Sequence, residues 1–500
     1  MQYPYGRESH IAMRVAQTES GKVRGVPGNN PAFTVFKGIP YAAPPVGSRR
    51  WRMAEPCEPW EGIRDCVEFG KISYQFMFRD GLYPESEDCL YLNIYTPAAS
   101  PGEKLPVLFF IPGGAFMGGY SNRPQYDGEG FCKRGVILVT INYRTGPLGM
   151  LSHREMESEN PYGVIGNIYY LDQIYALKWV RRNIASFGGD SDRITIMGHS
   201  SGAVAVTALA VSPLTRGNIA GCIIQSGPVT EDLMDPDGSA HSSPFWISRE
   251  EAVRRGDEYM AACGCRNLEE MRSLSCEQLD AAYRKMDRWL CHFRGVIDGY
   301  TFPEDPVVMY REGKHHDVPY MIGLAGDEGT VLMNILTPDN LERYAEGFGS
   351  QKEDFIAFCQ QLTPSELAGG LLDGNAFRCR LFAETQLKNG MQPAYCYCTI
   401  RRAPGDSAGA YHGIEHPYVF QTLDRDWRDY SGSDYDLSKQ MCQYWANFVR
   451  TGDPNGEGLT RWTPYTAACK ETMMFDVSPW MGERKLSKIQ QYKLDYFLGK

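Results

Sequence analysis

Short runs of consecutive apolar residues recur along the chain and are separated by stretches with helical spacing. The clearest runs are Leu105–Ile111, 136–142, Gly221–Gln225 and 318–324. A strand that is apolar at every position can be buried on both faces, as in the parallel sheets of α/β proteins. Strands that alternate with helices therefore predict an α/β fold with a mostly parallel sheet covered by helices on both faces.

Several helices can be predicted from the same pattern. Apolar residues at helical spacing predict an amphipathic helix over 171–184, and 203–211 reads as a buried helix directly after a short strand at 193–197. The charged stretch 249–289 predicts helices inserted over the sheet. A last helix over 437–449 is expected to end before Gly452 and Pro454, which form a typical stop signal.

Composition excludes several classes of function. The 500 residues carry a net charge of −10 and contain no basic block, which disfavours a nucleic-acid partner. No apolar run is long enough to span a membrane, and the first residues lack the apolar core of a signal peptide. The 15 cysteines are scattered, which favours free thiols over a disulfide scaffold. We therefore expect a cytoplasmic protein.

Two stretches match G-x-S-x-G, the pattern of a serine nucleophile on a sharp turn between a strand and a helix. Ser200 stands between the strand 193–197 and the helix 203–211, as this turn requires. Ser407 follows Arg401-Arg402-Ala403-Pro404 and has no strand before it. Ser200 is therefore the predicted nucleophile.

A serine nucleophile needs hydrogen-bond donors for the oxyanion that it creates. The glycine-rich segment PGGAFMGG follows the strand Leu105–Ile111, where backbone N–H groups of such a site are expected. A plain glycine turn is the alternative interpretation. With Ser200 in place, we predict an oxyanion hole formed by the backbone N–H groups of Gly114, Ala115 and Ser201.

These motifs belong to a longer series. In chain order the series reads FKGIPYAAPPVG, EDCLYLNIYTP, PGGAF, NYRTGPLG, FGGD, GHSSG, QSG, GDEG, HGIEHPYVF and TGDPN. In this series the chain resembles the type-B carboxylesterases, a group of α/β-hydrolases that includes bacterial para-nitrobenzyl esterases and cholinesterases. The resemblance covers nearly the whole chain and implies one α/β-hydrolase domain over residues 1–500.

The resemblance also implies a catalytic triad. It puts the nucleophile at Ser200, the acid at Glu328 in GDEG and the base at His412 in HGIEHPYVF. His412 would take the proton of Ser200, and Glu328 would orient and stabilise the imidazole. Asp327 is the competing acid, and we interpret it as a loop residue that forms hydrogen bonds.

The chain departs from the family's pattern at positions that bear on the substrate. His199 replaces the glutamate that usually precedes the serine, and Ala115 replaces a glycine but keeps its N–H. We expect His199 and Phe116 to border the substrate pocket, although His199 could equally pack under the turn. No tryptophan lies between Trp60 and Trp179, so the choline-binding tryptophan of cholinesterases has no counterpart. We therefore expect neutral alkyl or aryl esters as substrates.

A further departure concerns disulfides. Exported members of the family commonly bridge the cysteine of EDCLYLN to one upstream, and Ser73 stands at the position that resembles the partner of Cys89. We therefore expect folding to need no disulfide.

Other chemistries remain as alternatives. Residues 412–416 match the zinc pattern H-x-x-E-H, which needs both histidines on one helix face. Gly413 and Pro417 instead favour a loop, so we predict no metal and no cofactor. An amidase or carbamate hydrolase could use the same triad, and some family members have lost catalysis and bind partners instead.

Overall fold

The computed structural model describes residues 11–230, 245–286, 292–328, 337–370 and 374–499. The strands are β1 (Val15–Thr18), β2 (Gly21–Arg24), β3 (Val26–Pro27), β4 (Thr34–Pro40), β5 (Ile63–Asp65), β6 (Tyr91–Thr96), β7 (Leu105–Ile111), β8 (Ile137–Ile141), β9 (Gly189–His199), β10 (Gly221–Gln225), β11 (Trp246–Ser248), β12 (Gly295–Ile297), β13 (Tyr320–Ala325), β14 (Ala394–Thr399), β15 (Thr472–Phe475) and β16 (Trp480–Gly482). The helices are α1 (Glu129–Cys132), α2 (Pro147–Met150), α3 (Met156–Glu159), α4 (Ile168–Asn183), α5 (Ser201–Val211), α6 (Arg249–Ala262), α7 (Leu268–Arg272), α8 (Cys276–Tyr283), α9 (Pro306–Arg311), α10 (Pro338–Ala345), α11 (Lys352–Cys359), α12 (Pro364–Gly369), α13 (Gly374–Lys388), α14 (Glu415–Val419), α15 (Gly432–Thr451) and α16 (Lys488–Leu498).

The centre of the molecule is an 11-stranded sheet in the order β16-β15-β14-β13-β10-β9-β7-β8-β6-β4-β3. The strands from β15 to β8 in this order are parallel to their neighbours, whereas β16, β6, β4 and β3 pair antiparallel at the two sides. The carboxyl ends of the parallel strands therefore lie along one edge of the sheet, which is where open α/β sheets bind their ligands.

Each face of the sheet has its own hydrophobic core. Strand β7 contributes Val107, Phe109 and Ile111 to one core and Leu108 and Phe110 to the other, because successive side chains of a strand point to opposite faces. Residues of α4 and α5 belong to the first core, and residues of α14 and α15 to the second. This arrangement confirms the predicted α/β fold with both faces covered.

The predicted strands and helices are present with small changes of boundary. β7 and β10 have the predicted ends, whereas β9 begins at Gly189, four residues before the predicted strand. The helical insertion appears as α6, α7 and α8, and residues 287–289 of it lie outside the described residues. Gly452 ends α15 in a left-handed conformation, as its glycine stop signal predicts. No helix in the described part of the chain is long and apolar enough to cross a membrane.

Candidate active site

Ser200 occupies the sharp turn between β9 and α5. Its backbone angles are φ 57° and ψ −125°, a conformation that side-chain-bearing residues rarely adopt. The Ser200 amide donates to the carbonyl of Gln225 at the end of the neighbouring strand β10, and the Ser200 carbonyl accepts from Ala203 and Val204 in the first turn of α5. The strained turn is therefore held by hydrogen bonds on both sides.

Three glycines around Ser200 are required by close backbone contacts. A Cβ atom on Gly198 would lie 2.1 Å from the carbonyl oxygen of Gly202, and one on Gly202 would lie 2.2 Å from that of Ile111. A Cβ on Gly227, after β10, would lie 2.6 Å from the Ser200 carbonyl oxygen. Each clash is with backbone, which cannot rotate away as a side chain can.

The glycine-rich segment after β7 folds back against this turn. Ala115 and Phe116 both have positive φ angles, 56° and 58°. The Phe116 amide donates to the Ser201 hydroxyl at 3.2 Å, which fixes the segment to the start of α5. Within the described residues, the amides of Gly114, Ala115 and Ser201 donate to no acceptor. These N–H groups are therefore available to a ligand.

Glu328 and His412 form a buried acid–base pair. His412 Nδ1 lies 2.5 Å from Glu328 Oε2, and the Ala325 amide donates to Glu328 Oε1 at 2.8 Å. The Glu328 side chain is 2% exposed and that of His412 is 11% exposed. Each oxygen of the carboxylate is thus held by a hydrogen bond.

Asp327 holds the segment that carries His412. Its carboxylate accepts from the Ala410 amide at 2.7 Å, and its own amide donates to the Ala410 carbonyl at 2.8 Å. The chain after β13 is thereby paired with the chain two residues before His412. Asp327 is therefore a loop residue that forms hydrogen bonds, whereas the carboxylate that pairs with His412 is that of Glu328.

The pair shifts both of its pKa values away from the usual ones. Burial alone would raise the pKa of Glu328, but the hydrogen bond and positive charge of His412 outweigh it, so the pKa of Glu328 is lowered. Burial alone would lower the pKa of His412, but the hydrogen bond and charge of Glu328 outweigh it, so the pKa of His412 is raised. His412 is therefore a stronger base than an isolated buried imidazole.

The ring of His199 packs against the ring of His412. Its ring centroid is 4.4 Å from that of His412 and 4.3 Å from that of His416. Burial, together with the charges of His416 and His412, lowers the pKa of His199 well below its usual value, so the ring is neutral at pH 7. A Cβ on Gly413 would lie 3.2 Å from the His199 ring, so the tight packing extends to the turn after His412.

Ser200 and His412 open into one cavity of about 240 Å³. Its wall includes Ala115, Ser201 and Phe116, and most of the remaining lining is aromatic or aliphatic. His199 is not part of the lining, which corrects the expectation that it borders the pocket. The physical reason is that successive side chains of a strand point to opposite faces of the sheet, so His199 lies on the same face as Met197. Met197, two residues earlier on β9, belongs to the second core, whereas Phe116 and Val204 of the cavity belong to the first.

Some residues at the site were not anticipated from sequence. Arg294 and Arg378 line the cavity, but no local motif marks either of them. Glu415 is fully buried, and burial together with the negative charge of Glu328 raises its pKa to about 7. Its position three residues after His412 was visible in the sequence, but its burial depends on the packing of α14 against the sheet.

The expected loop at residues 412–416 is partly wrong. Residues 412–414 form a turn, but α14 begins at Glu415 and contains Pro417. Proline is tolerated there because the first residues of a helix have no intrahelical hydrogen bond to lose. No group of three or more His, Cys, Asp or Glu side chains among the described residues could hold a metal ion. Ser407 lies on an exposed loop after β14.

Known proteins resemble this chain over most of its length. The model of the carboxylesterase family matches residues 12–368 and 370–493. The chain is 31% identical over 494 residues to a para-nitrobenzyl esterase of Bacillus subtilis, covering 93% of this chain and 95% of the relative. It is 32% identical over 481 residues to a fumonisin B1 esterase of Sphingopyxis macrogoltabida, covering 92% and 86%.

A solved carboxylesterase structure from Geobacillus stearothermophilus superposes with a TM-score of 0.78 at 31% identity, covering 94% of this chain and 98% of that one. The chain belongs to the carboxylesterase family. This membership confirms the predicted resemblance, the α/β-hydrolase fold and the class of enzyme, a carboxylesterase.

Proposed function

We propose that this carboxylesterase is a serine enzyme that works through an acyl-enzyme and needs no cofactor. The observation that carries the proposal is that His412, which is hydrogen-bonded to Glu328, lines the same cavity as Ser200. A base oriented by a carboxylate beside a serine on a strained turn is the arrangement that activates a hydroxyl group.

In this mechanism His412 Nε2 accepts the proton of Ser200 while Nδ1–H donates to Glu328. The Ser200 Oγ forms a bond to the acyl carbon, and the oxyanion accepts hydrogen bonds from the amides of Gly114, Ala115 and Ser201. His412 then gives its proton to the departing alcohol. Water attacks the acyl-enzyme in the same way, which releases the acid and restores Ser200.

For the substrate we propose that neutral alkyl or aryl esters are accepted and choline esters are poor. The mostly apolar wall of the cavity suits uncharged groups. No carboxylate from the described residues lines the cavity, so nothing there favours a quaternary ammonium group. The para-nitrobenzyl esterase among the relatives supports an aryl or benzyl ester.

The panel that tests this proposal contains 4-nitrophenyl esters from C2 to C16, a 4-nitroanilide and a 4-nitrophenyl carbamate. We expect ester turnover to exceed that of the anilide and the carbamate, to survive EDTA and to fall at least about 10³-fold in Ser200→Ala. Ser407→Ala, the other G-x-S-x-G serine, serves as the matched control with unchanged activity. Equal loss in both variants, or loss with EDTA, would contradict the proposal. Faster turnover of the anilide or carbamate would favour the alternative hydrolases, and turnover of none would favour a binding protein.

We also propose that folding needs no disulfide. Cys89 is buried, and the Ser73 side chain lies beside it. The Ser73 hydroxyl accepts a hydrogen bond from the Thr145 amide at 3.1 Å, so a polar network occupies the position where a partner cysteine would stand. Every cysteine of the described residues is a free thiol. Thermal melting with and without excess dithiothreitol should give the same midpoint, and a drop of many degrees on reduction would contradict this. The cytoplasmic location stays a prediction.

A further inference from the structure

Two adjacent tyrosines form part of the wall of the active-site cavity. Tyr169 and Tyr170 are the second and third residues of α4, and both line the cavity. Consecutive side chains of a helix leave its axis about 100° apart, yet the centroids of these two rings are 4.0 Å apart. The two side chains therefore turn toward each other and form one aromatic pair.

The pair packs against the glycine-rich segment that follows β7. The ring of Phe116 meets both tyrosine rings edge-on, with centroid distances of 4.9 Å to Tyr169 and 5.7 Å to Tyr170. The Phe116 amide is hydrogen-bonded to the Ser201 hydroxyl at the start of α5. The tyrosine pair is therefore only one aromatic ring away from the segment beside Ser200.

The Tyr170 hydroxyl is a buried polar group without a partner. Burial raises the pKa of both phenols, and each tyrosine is a further influence on the pKa of the other, so both hydroxyl groups are neutral at pH 7 and lie near each other. Within the part of the chain that the structure describes, the Tyr170 hydroxyl nevertheless has no hydrogen-bond partner. An unpaired hydroxyl in a buried site is unfavourable, and such groups are usually bonded to protein, water or ligand.

The surroundings of this hydroxyl indicate which ligand group would pair with it. Most of the cavity wall is aromatic or aliphatic, which favours an aromatic ring. A hydroxyl substituent on such a ring can accept a hydrogen bond from a tyrosine, whereas a methyl group of similar size cannot. A site that contains an unpaired polar group discriminates in favour of the substrate that satisfies it.

We propose that Tyr170 is a specificity-determining residue, whose hydroxyl group binds a hydroxyl substituent on the aromatic ring of an ester substrate. The proposal rests on the serine esterase mechanism above and narrows its substrates to hydroxyaryl esters. The bond to Tyr170 takes no part in the reaction, in which Ser200 forms its bond to the acyl carbon and His412 gives its proton to the departing alcohol. The hydroxyaryl group can belong to the acid or to the alcohol, so the test includes both.

The experiment compares esters that differ only in a hydroxyl or a methyl group. For the acid the pair is 4-nitrophenyl 3-(4-hydroxyphenyl)propanoate and 4-nitrophenyl 3-(4-methylphenyl)propanoate. For the alcohol the pair is 2-(4-hydroxyphenyl)ethyl acetate and 2-(4-methylphenyl)ethyl acetate. We expect kcat/KM for the hydroxyl ester to exceed that of the methyl ester at least about tenfold in one of the two pairs. A smaller ratio in both pairs would overturn the proposal, since a purely apolar wall favours the methyl group.

A variant that removes only the hydroxyl group separates recognition from structure. In Tyr170→Phe the hydroxyl-to-methyl ratio should fall about tenfold, whereas Tyr435→Phe, at an exposed position on α15, should keep it. A structural role would lower both rates equally and leave the ratio unchanged, which would overturn the proposal.

The melting temperature gives a second readout on the same variant. Because Tyr170→Phe removes an unpaired buried hydroxyl and keeps the ring, its melting temperature without substrate should equal or exceed that of the wild-type protein. A drop of many degrees would show that the hydroxyl has a partner inside the protein and would also overturn the proposal.

The two proposals fail in different ways. If Ser200→Ala keeps its activity on both members of a pair, the serine mechanism is wrong, whatever the ratio. If both activities require Ser200 but the hydroxyl ester has no advantage, only the inference about Tyr170 is wrong.

Discussion

Ser200 and His412 line the same cavity, yet the segments that carry them are constrained by different interactions. The turn at Ser200 is fixed by close backbone contacts, of Gly198 with Gly202 and of Gly202 with Ile111. The segment at His412 is fixed by hydrogen bonds and charges from Glu328 and Asp327, which lie more than 80 residues earlier. The first region should therefore respond to changes of steric volume, and the second to changes of charge and pH.

The largest effect is expected on the base. His412→Ala should lower kcat/KM about 10⁴-fold, or about 5.5 kcal/mol, because it removes the imidazole that accepts the Ser200 proton in the proposed mechanism. Steady-state kinetics on a 4-nitrophenyl ester would measure this, with the melting temperature as the check on folding. A loss below tenfold in a folded variant would assign the base elsewhere.

Replacing Glu328 tests whether charge and hydrogen bonding control the segment at His412. Glu328→Gln should lower kcat/KM about 10²- to 10⁴-fold, since the amide neither stabilises the imidazolium nor fixes its tautomer. Burial lowers the pKa of His412, and the carboxylate of Glu328 outweighs this effect. When the carboxylate is removed, the pKa of His412 should therefore fall. The acid limb of the pH profile of kcat/KM, where activity rises as His412 loses its proton, should then move to lower pH. A limb that stays in place or moves to higher pH would contradict the assigned cause.

The steric constraint on the turn at Ser200 is tested by adding a methyl group at Gly198. Gly198→Ala should lower the free energy of unfolding by about 3 kcal/mol, because the added Cβ meets the Gly202 carbonyl oxygen at 2.1 Å. Gly432→Ala is the matched control, since nothing lies within 4 Å of a Cβ there. Its position in the first turn of α15 predicts a change within about 1 kcal/mol. Urea unfolding that finds the two variants equally stable would refute the steric account.

His199 lies where the two regions meet and should matter least. Because its ring is buried and neutral, it contributes packing but no charge to His412. His199→Ala should therefore lower kcat/KM tenfold or less, or at most about 1.4 kcal/mol, as measured on the same ester. A loss as large as that of His412→Ala would mean that His199 takes part in proton transfer.

The two regions also differ in how well they can be predicted from the sequence. The apolar runs of β7 and β10 and the glycines around Ser200 are local signals, so these elements can be predicted almost to the residue. The pairing of Glu328 with His412 depends on contacts between distant segments, and only the resemblance to a family suggested it. The single-domain organisation over residues 1–500 stays a prediction.

The side of the sheet on which His199 lies, and the arginines of the cavity, could not be predicted. His199 follows the alternation of β9, whose register is fixed by pairing with β7 and β10. Arg294 and Arg378 reach the cavity through the packing of the segment that leads into β12 and of α13, for which no short sequence pattern exists. The sequence does not predict α14, because Pro417 favours a loop unless it falls in the first turn of a helix, and only the structure shows that it does.

The most direct measurement of the central claim is the site of covalent labelling by a fluorophosphonate, which reacts with an activated serine. Intact-mass and peptide mass spectrometry of the wild-type protein should show one phosphonate adduct per chain, on Ser200. The adduct should be absent in Ser200→Ala and retained in Ser407→Ala. Labelling at Ser407, or an adduct that persists in Ser200→Ala, would contradict the account.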